Sequence, residues 1–180
     1  MTTEIETVSS RIAYENRWLR VREDIIRRAD GSDGLYGVVE RSDFVVLLPW
    51  QDGGLTLVEQ YRYPVRRRQW ELPMGTWETA PDTDPALLAA AELREETGLV
   101  AQNLVRIGGI LQGAGYCNQR GHIFMATHLT QQADQREATE QDLVCRHFSL
   151  AEVEAMIRDD ILVDAPSLAA IAMARLKGFL

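Results

Sequence analysis

The sequence predicts an α/β (α+β) fold in which a mixed β-sheet is sandwiched between helices, with an N-terminal antiparallel strand extension. Three observations carry this expectation. Short apolar and alternating runs separated by turn signals fill the first half, a capped helical stretch interrupts the strands, and two further helical stretches close the chain. A length of 180 residues with 46% hydrophobic composition is enough for one principal core. Residues 1–42 read as the β extension and 43–180 as the main domain.

Trp18 to Arg28 (WLRVREDIIRR) mixes apolar and charged residues, runs into the turn signal DGSDG and resumes with GVVER, as a long hairpin does. Phe44 to Trp50 is a short apolar run, QDGG a turn, and Leu55 to Tyr63 an alternating strand. After WELP, a polar loop leads to a helix from about Asp84 to Thr97, with Asp84 as N-cap, Pro85 at the first helical position and Gly98 just past the end. Segments near Val105 to Leu111, His122 to Leu129 and Leu143 to Phe148 are further strands, His122 being structural within its strand. Ser149 and Glu152 form a capping box at the head of the next helix, and a last helix runs from about Pro166 to Lys177.

The formal charge of -8 and a pI near 4.9 surround the molecule with a negative field, which excludes a general nucleic-acid binder. Cys117 and Cys145 form no CxxC pair, so neither a disulfide framework nor a zinc cluster is indicated and a reduced, cytoplasmic setting is expected. No apolar run approaches the roughly 20 residues that span a bilayer. The segment MTTEIETVSS lacks the basic and apolar regions of a signal peptide. A soluble, unprocessed protein without a membrane partner is expected.

Chemistry concentrates in ELREETGL, where Glu92, Glu95 and Glu96 recur at helical spacing and share one face. Ala86, Ala89, Ala90 and Leu93 are expected on the opposite side, packed on a sheet, with the glutamate face left for solvent or a ligand. Like-charged carboxylates repel one another unless an oxygen-preferring cation such as Mg2+ or Mn2+ neutralises them. Taken alone, three glutamates on a helix read as a solvated face.

Context decides between those readings. The stretch resembles the Nudix box, whose second half reads R-E-U-x-E-E-x-G-U with U aliphatic, and Glu92, Leu93, Glu95, Glu96, Gly98 and Leu99 meet it. EQYRYP (Glu59 to Pro64), WELPMG (Trp70 to Gly75) and DILVDAPSLAA near the C-terminus resemble segments of ADP-ribose pyrophosphatases and related nucleotide-sugar hydrolases. The resemblance implies a Nudix fold and metal ligation by Glu92, Glu95, Glu96 and the backbone carbonyl of Met74. It also implies hydrolysis of the diphosphate of a nucleoside diphosphate linked to another group, most simply ADP-ribose or a related nucleotide sugar.

The first half of the box departs from the pattern. Trp77 stands where the glycine belongs, Thr83 where the first glutamate belongs and Ala91 where the arginine belongs; Gly75 fits the glycine role only with two extra residues in the loop. Losing both members of a charge pair costs less than losing one, so the metal face is expected to survive. Downstream, GAGYCNQRGHIF aligns with a segment that carries a proline and a glutamate in the ADP-ribose branch, here Ala114 and Gln119. Gln119 can hydrogen-bond but cannot act as a base. The resemblance therefore points to Glu140, in the acidic loop EATEQD, or to Glu96 as proton acceptor.

Substrate contacts are expected from Arg62, because a guanidinium fork matches phosphate oxygens, and from Trp70, Tyr116 and Gln119. Arg66 to Arg68 is read as an exposed turn or a second phosphate contact. Two alternatives stay open at this level, a catalytically silent Nudix-fold nucleotide sensor and a dinucleoside polyphosphate hydrolase, the latter suggested by the position of Tyr116. A hairpin carrying Trp18, Leu19, Val21, Ile25 and Ile26 is too extended to bury itself easily, which together with the resemblance implies a homodimer with a shared site.

Overall fold

A computed structural model describes residues 4–77, 83–132 and 142–180. Contacts divide the chain into two compact units, Met1–Asp43 with Leu111–Arg120, and Phe44–Ile110 with Gly121–Leu180.

The first unit is a three-stranded antiparallel sheet of β1 (Ile5–Glu15), β2 (Arg20–Arg28) and β3 (Asp33–Glu40), in that order. The expected hairpin is β2–β3, and its DGSDG turn holds Gly31 at φ 83°, a conformation that glycine adopts without strain. Strand β1 has no turn-bounded apolar run of its own, which hid it from the sequence reading. Its register against β2 shifts between Thr7 and Ser9 and again between Ile12 and Tyr14, breaking any alternation. Residues 111–120 join this unit through backbone bonds, Val39 N–H donating to the Tyr116 carbonyl at 2.7 Å and Asn118 N–H to the Val39 carbonyl at 3.2 Å.

The second unit holds β4 (Phe44–Gln51), β5 (Gly54–Arg62), β6 (Arg67–Glu71), β7 (Met74–Gly75), α1 (Pro85–Thr97), β8 (Leu99–Leu111), β9 (Arg120–Gln131), β10 (Val144–Ser149), α2 (Leu150–Arg158) and α3 (Ala165–Leu176). The strands form one sheet in the order β10-β5-β4-β9-β8, with β6 pairing β5 and β7 pairing β4. Strands β4 and β9 run parallel whereas β4–β5, β5–β10, β5–β6 and β4–β7 are antiparallel, so the sheet is mixed as expected. The turn between β4 and β5 is Asp52-Gly53 with φ of 49° and 72°, the two positive values that a two-residue hairpin with right-handed strand twist requires.

Strand β4 reads as a continuous apolar run because both of its faces are covered. Phe44, Val46 and Leu48 enter a core with Val153 and Met156 of α2 and Ala170, Ile171 and Ala174 of α3. Val45 and Leu47 enter the other, with Leu88, Ala89 and Leu93 of α1 and with Phe124 and Ala126. The sheet thus lies between α1 on one side and α2 and α3 on the other. All three helix starts carry caps. Asp84 accepts from Ala86 N–H, Ser149 and Glu152 close a capping box, and Asp164 accepts from Ser167 N–H.

Strand β6 replaces the expected arginine turn. Arg66 takes the left-handed conformation (φ 54°) that closes the short turn Tyr63–Val65, and Arg67 and Arg68 already pair with Arg62 and Tyr61 of β5. Among the described residues no helix is long and apolar enough to cross a membrane.

Candidate active site

The glutamates of α1 do not form an open face. Leu88, Glu92 and Glu96 follow one another at i, i+4 and i+8, in the row beside Ala89 and Leu93, so Glu92 and Glu96 continue the packed stripe where Ala90 was expected to contribute and is instead exposed. Glu92 is 7% exposed and Glu96 1%, while Glu95 is half-buried. The cover is β7, which pairs Val45 with Gly75 and Val46 with Met74 and so lies beside α1.

Two contacts define this junction. Met74 N–H donates to Glu96 Oε2 at 3.0 Å. At Gly75 the backbone comes so close to the Glu92 carboxylate that a Cβ would overlap it, which is why a residue without a side chain stands there. Gly75 is the residue that the sequence offered for the glycine role with two extra residues in the loop. The Glu92 and Glu96 carboxylates that meet β7 here carry hard oxygen donors of the kind that Mg2+ and Mn2+ take. Among the described residues no three His, Cys, Asp or Glu side chains form a finished metal cage. By the chemistry of their donors, though not yet by a closed cage, the carboxylates suit a divalent cation.

The segment Glu71 to Gly75 is fixed at each residue. Glu71 is fully buried (0% exposed), and its carboxylate accepts from Arg62 Nε at 3.1 Å and Nη2 at 2.5 Å, from Gln60 at 2.7 Å and from Gln69 at 3.3 Å. Burial pushes the Glu71 carboxyl above its ordinary value, and the Arg62 charge and hydrogen bond oppose that shift. Leu72 N–H donates to Ser167 Oγ at 2.8 Å, and the Pro73 carbonyl accepts from Leu47 N–H at 2.9 Å. Sequence reasoning missed Glu71, Ser167 and Asp164. WELP and APSL were visible, but nothing in their spacing tells that a serine in the last helix meets a backbone amide far upstream.

The other expected residues fall as follows. Arg62 directs two of its nitrogens to Glu71, so part of its charge is committed inside the protein, which leaves Nη1 of the five-donor fork for a ligand. Arg68 is committed too, to Glu59 and Asp142. Trp70 is partly buried and packs on the core, with its ring edge-on to Phe148 and centroids 4.9 Å apart. In the first unit Tyr116 is exposed, whereas Gln119 is buried and its amide donates to the Ser42 carbonyl at 2.7 Å. Glu140 lies outside the described residues.

Residues 5–39 match the nucleoside diphosphate sugar hydrolase N-terminal domain. The chain is 29% identical to the ADP-ribose pyrophosphatase of Mycobacterium tuberculosis (strain ATCC 25618 / H37Rv), over 93% of this chain and 82% of that protein. It is 25% identical to the ADP-ribose pyrophosphatase of Bacillus subtilis (strain 168), over 97% and 94%. It is also 22% identical to the methanol dehydrogenase activator of Bacillus methanolicus, over 97% and 94%. Its fold superposes on a crystal structure of an ADP compounds hydrolase with a TM-score of 0.87 at 19% identity, covering 99% of this chain and 97% of the other. Sheet, helix motif and relatives agree in a likeness to the Nudix hydrolases. The likeness is to the branch of the ADP-ribose pyrophosphatases.

Proposed function

We propose that this enzyme hydrolyses the diphosphate bond of a nucleoside diphosphate linked to a sugar, with ADP-ribose or a related nucleotide sugar as substrate and Mg2+ or Mn2+ as cofactor. Similarity to two ADP-ribose pyrophosphatases along nearly the whole chain supports the substrate class. The observation that carries the site is the junction of β7 and α1, where Gly75 lies on Glu92 and Met74 N–H holds Glu96. Glu92, Glu95, Glu96 and the Met74 carbonyl would hold the cation. When bound, it neutralises phosphate oxygens and lowers the pKa of an attacking water. Glu96 or Glu140 then takes the proton, and Arg62, steered by its pair with Glu71, meets a phosphate oxygen with its remaining donors.

The test is a panel of ADP-ribose, other nucleoside diphosphate sugars, dinucleoside polyphosphates and nucleoside triphosphates, incubated with Mg2+ or Mn2+ and scored by product analysis. Turnover of ADP-ribose or another nucleotide sugar above all else is expected. Glu95→Gln and Glu96→Gln should each lose most turnover while keeping the fold, and wild-type rates in both at saturating Mg2+ would refute the metal assignment. Metal-stimulated binding without any hydrolysis across the panel would favour a sensor instead.

A further inference from the structure

We infer that Ser167, with Asp164 behind it, is a positioning residue for the metal-holding junction, acting through the backbone of Leu72. This rests on the reading that Glu92, Glu95, Glu96 and the Met74 carbonyl hold a divalent cation. Asp164 caps α3 by accepting from Ser167 N–H at 2.9 Å, and the same carboxylate oxygen accepts the Ser167 hydroxyl at 2.7 Å. That second bond turns the hydroxyl proton away from Leu72 and leaves the Ser167 oxygen lone pairs to receive Leu72 N–H at 2.8 Å. Ser167 is fully buried (0% exposed), so this is a dry bond with no water to replace it.

Leu72 stands only two residues before Met74. Beyond Leu72, Pro73 has no N–H to give, and its carbonyl is taken by Leu47. Among the described residues, the extended run is tethered on the α3 side of the sheet by the Ser167 side chain and next, on the α1 side, by Met74 N–H on Glu96. A chain pinned on opposite faces of the sheet two residues apart has its direction fixed. Without the Ser167 tether, the entry of the chain into β7 is held only by the Leu47 bond and the short pairing with Val45 and Val46, and a shift at Leu72 moves the Met74 carbonyl and Gly75 relative to Glu92 and Glu96. A helix cap in the last helix thus sets the spacing of the proposed ligands on the first. Partners that orient metal ligands from behind contribute to affinity although they never touch the ion.

The experiment measures Mn2+ binding to the full-length protein by electron paramagnetic resonance, without substrate. The variants are Ser167→Ala, Asp164→Ala and, as a control for general loosening of the same core, Val153→Ala, a buried residue of α2. Ser167→Ala should weaken Mn2+ affinity about tenfold, with a smaller loss in Asp164→Ala, while Val153→Ala lowers the melting temperature and leaves Mn2+ affinity at the wild-type value. Equal affinity in Ser167→Ala and wild type overturns the inference, and so does an equal loss in Val153→Ala. If Ser167→Ala does not fold, Asp164→Ala, which retains the Ser167 oxygen as acceptor, is judged by the same two comparisons. Wild-type protein that binds no Mn2+ removes the underlying metal reading itself, a result distinct from binding that is indifferent to Ser167.

Discussion

Gln119 shows how much one atom decides at the residue scale. Its amide donates to the Ser42 carbonyl from a side chain only 4% exposed. A glutamate there would face an acceptor with an acceptor and bring a charge into a buried place. Gln119→Glu is therefore expected to lower stability by about 1–3 kcal/mol, read as a lower urea midpoint; a variant as stable as wild type would show that the Ser42 bond carries no weight. At Gly75 the constraint is steric. Gly75→Ala should keep the far-UV circular dichroism of the wild type and lose most hydrolysis, because the new methyl must displace the Glu92 carboxylate or the β7 backbone. Unchanged turnover would mean that Glu92 is free to move without consequence.

Elements are set by caps and by charge pairs that local sequence supplies. The capping box of α2 satisfies Glu152 N–H through the Ser149 hydroxyl and Ser149 N–H through Glu152. Ser149→Ala should cost about 1 kcal/mol, measurable as a drop in melting temperature; no drop would show that tertiary packing alone holds the helix start. In the N-terminal sheet, Asp24 is buried between strands and its carboxyl lies below the ordinary value of 3.8, first because the Ser10 hydroxyl donates to it and then because Arg22 does, with burial opposing both. A depressed carboxyl stabilises the folded sheet fully above its ordinary value, and that contribution is lost as pH falls through the folded value. Ser10→Ala should therefore raise the Asp24 midpoint in a carbon-13 carboxyl titration and move the loss to higher pH. An unmoved midpoint would assign the shift to Arg22 alone.

At the scale of the whole molecule, the N-terminal sheet presents an apolar face. Tyr14 and Val39 flank Val21, and Leu35 lies opposite Ile25, so these five residues share one face in the observed register. Tyr14, Ile25 and Leu35 are exposed, Leu35 by 61%. A patch of that kind on a long sheet invites association. We propose a homodimer formed through this sheet. Leu35→Lys is a better probe than removal of residues 1–42, because truncation would also strip the backbone partners of residues 111–120. Sedimentation of the wild type should give a dimer mass and Leu35→Lys a monomer at micromolar concentration. A monomeric wild type would end the proposal.

The sequence by itself determined what local physics writes locally. Asp84, Pro85 and Gly98 mark α1, Ser149 and Glu152 mark α2, and Asp52-Gly53 marks a hairpin, because caps and positive-φ turns depend on a few adjacent residues. The doubly covered β4 and the spacing of Glu92, Glu95 and Glu96 were legible for the same reason, and with them the Nudix resemblance. Strand β1 was not, since bulges erase its alternation, nor β6, whose arginines look solvent-bound until β5 pairs with them. Only the tertiary structure decided which side of α1 is covered, that Arg62 faces a buried Glu71, that Gln119 serves Ser42 and that Ser167 reaches Leu72. These are contacts between residues distant in the chain, and burial turns a glutamate, a glutamine or a serine from a solvated side chain into one whose every polar atom must find a partner.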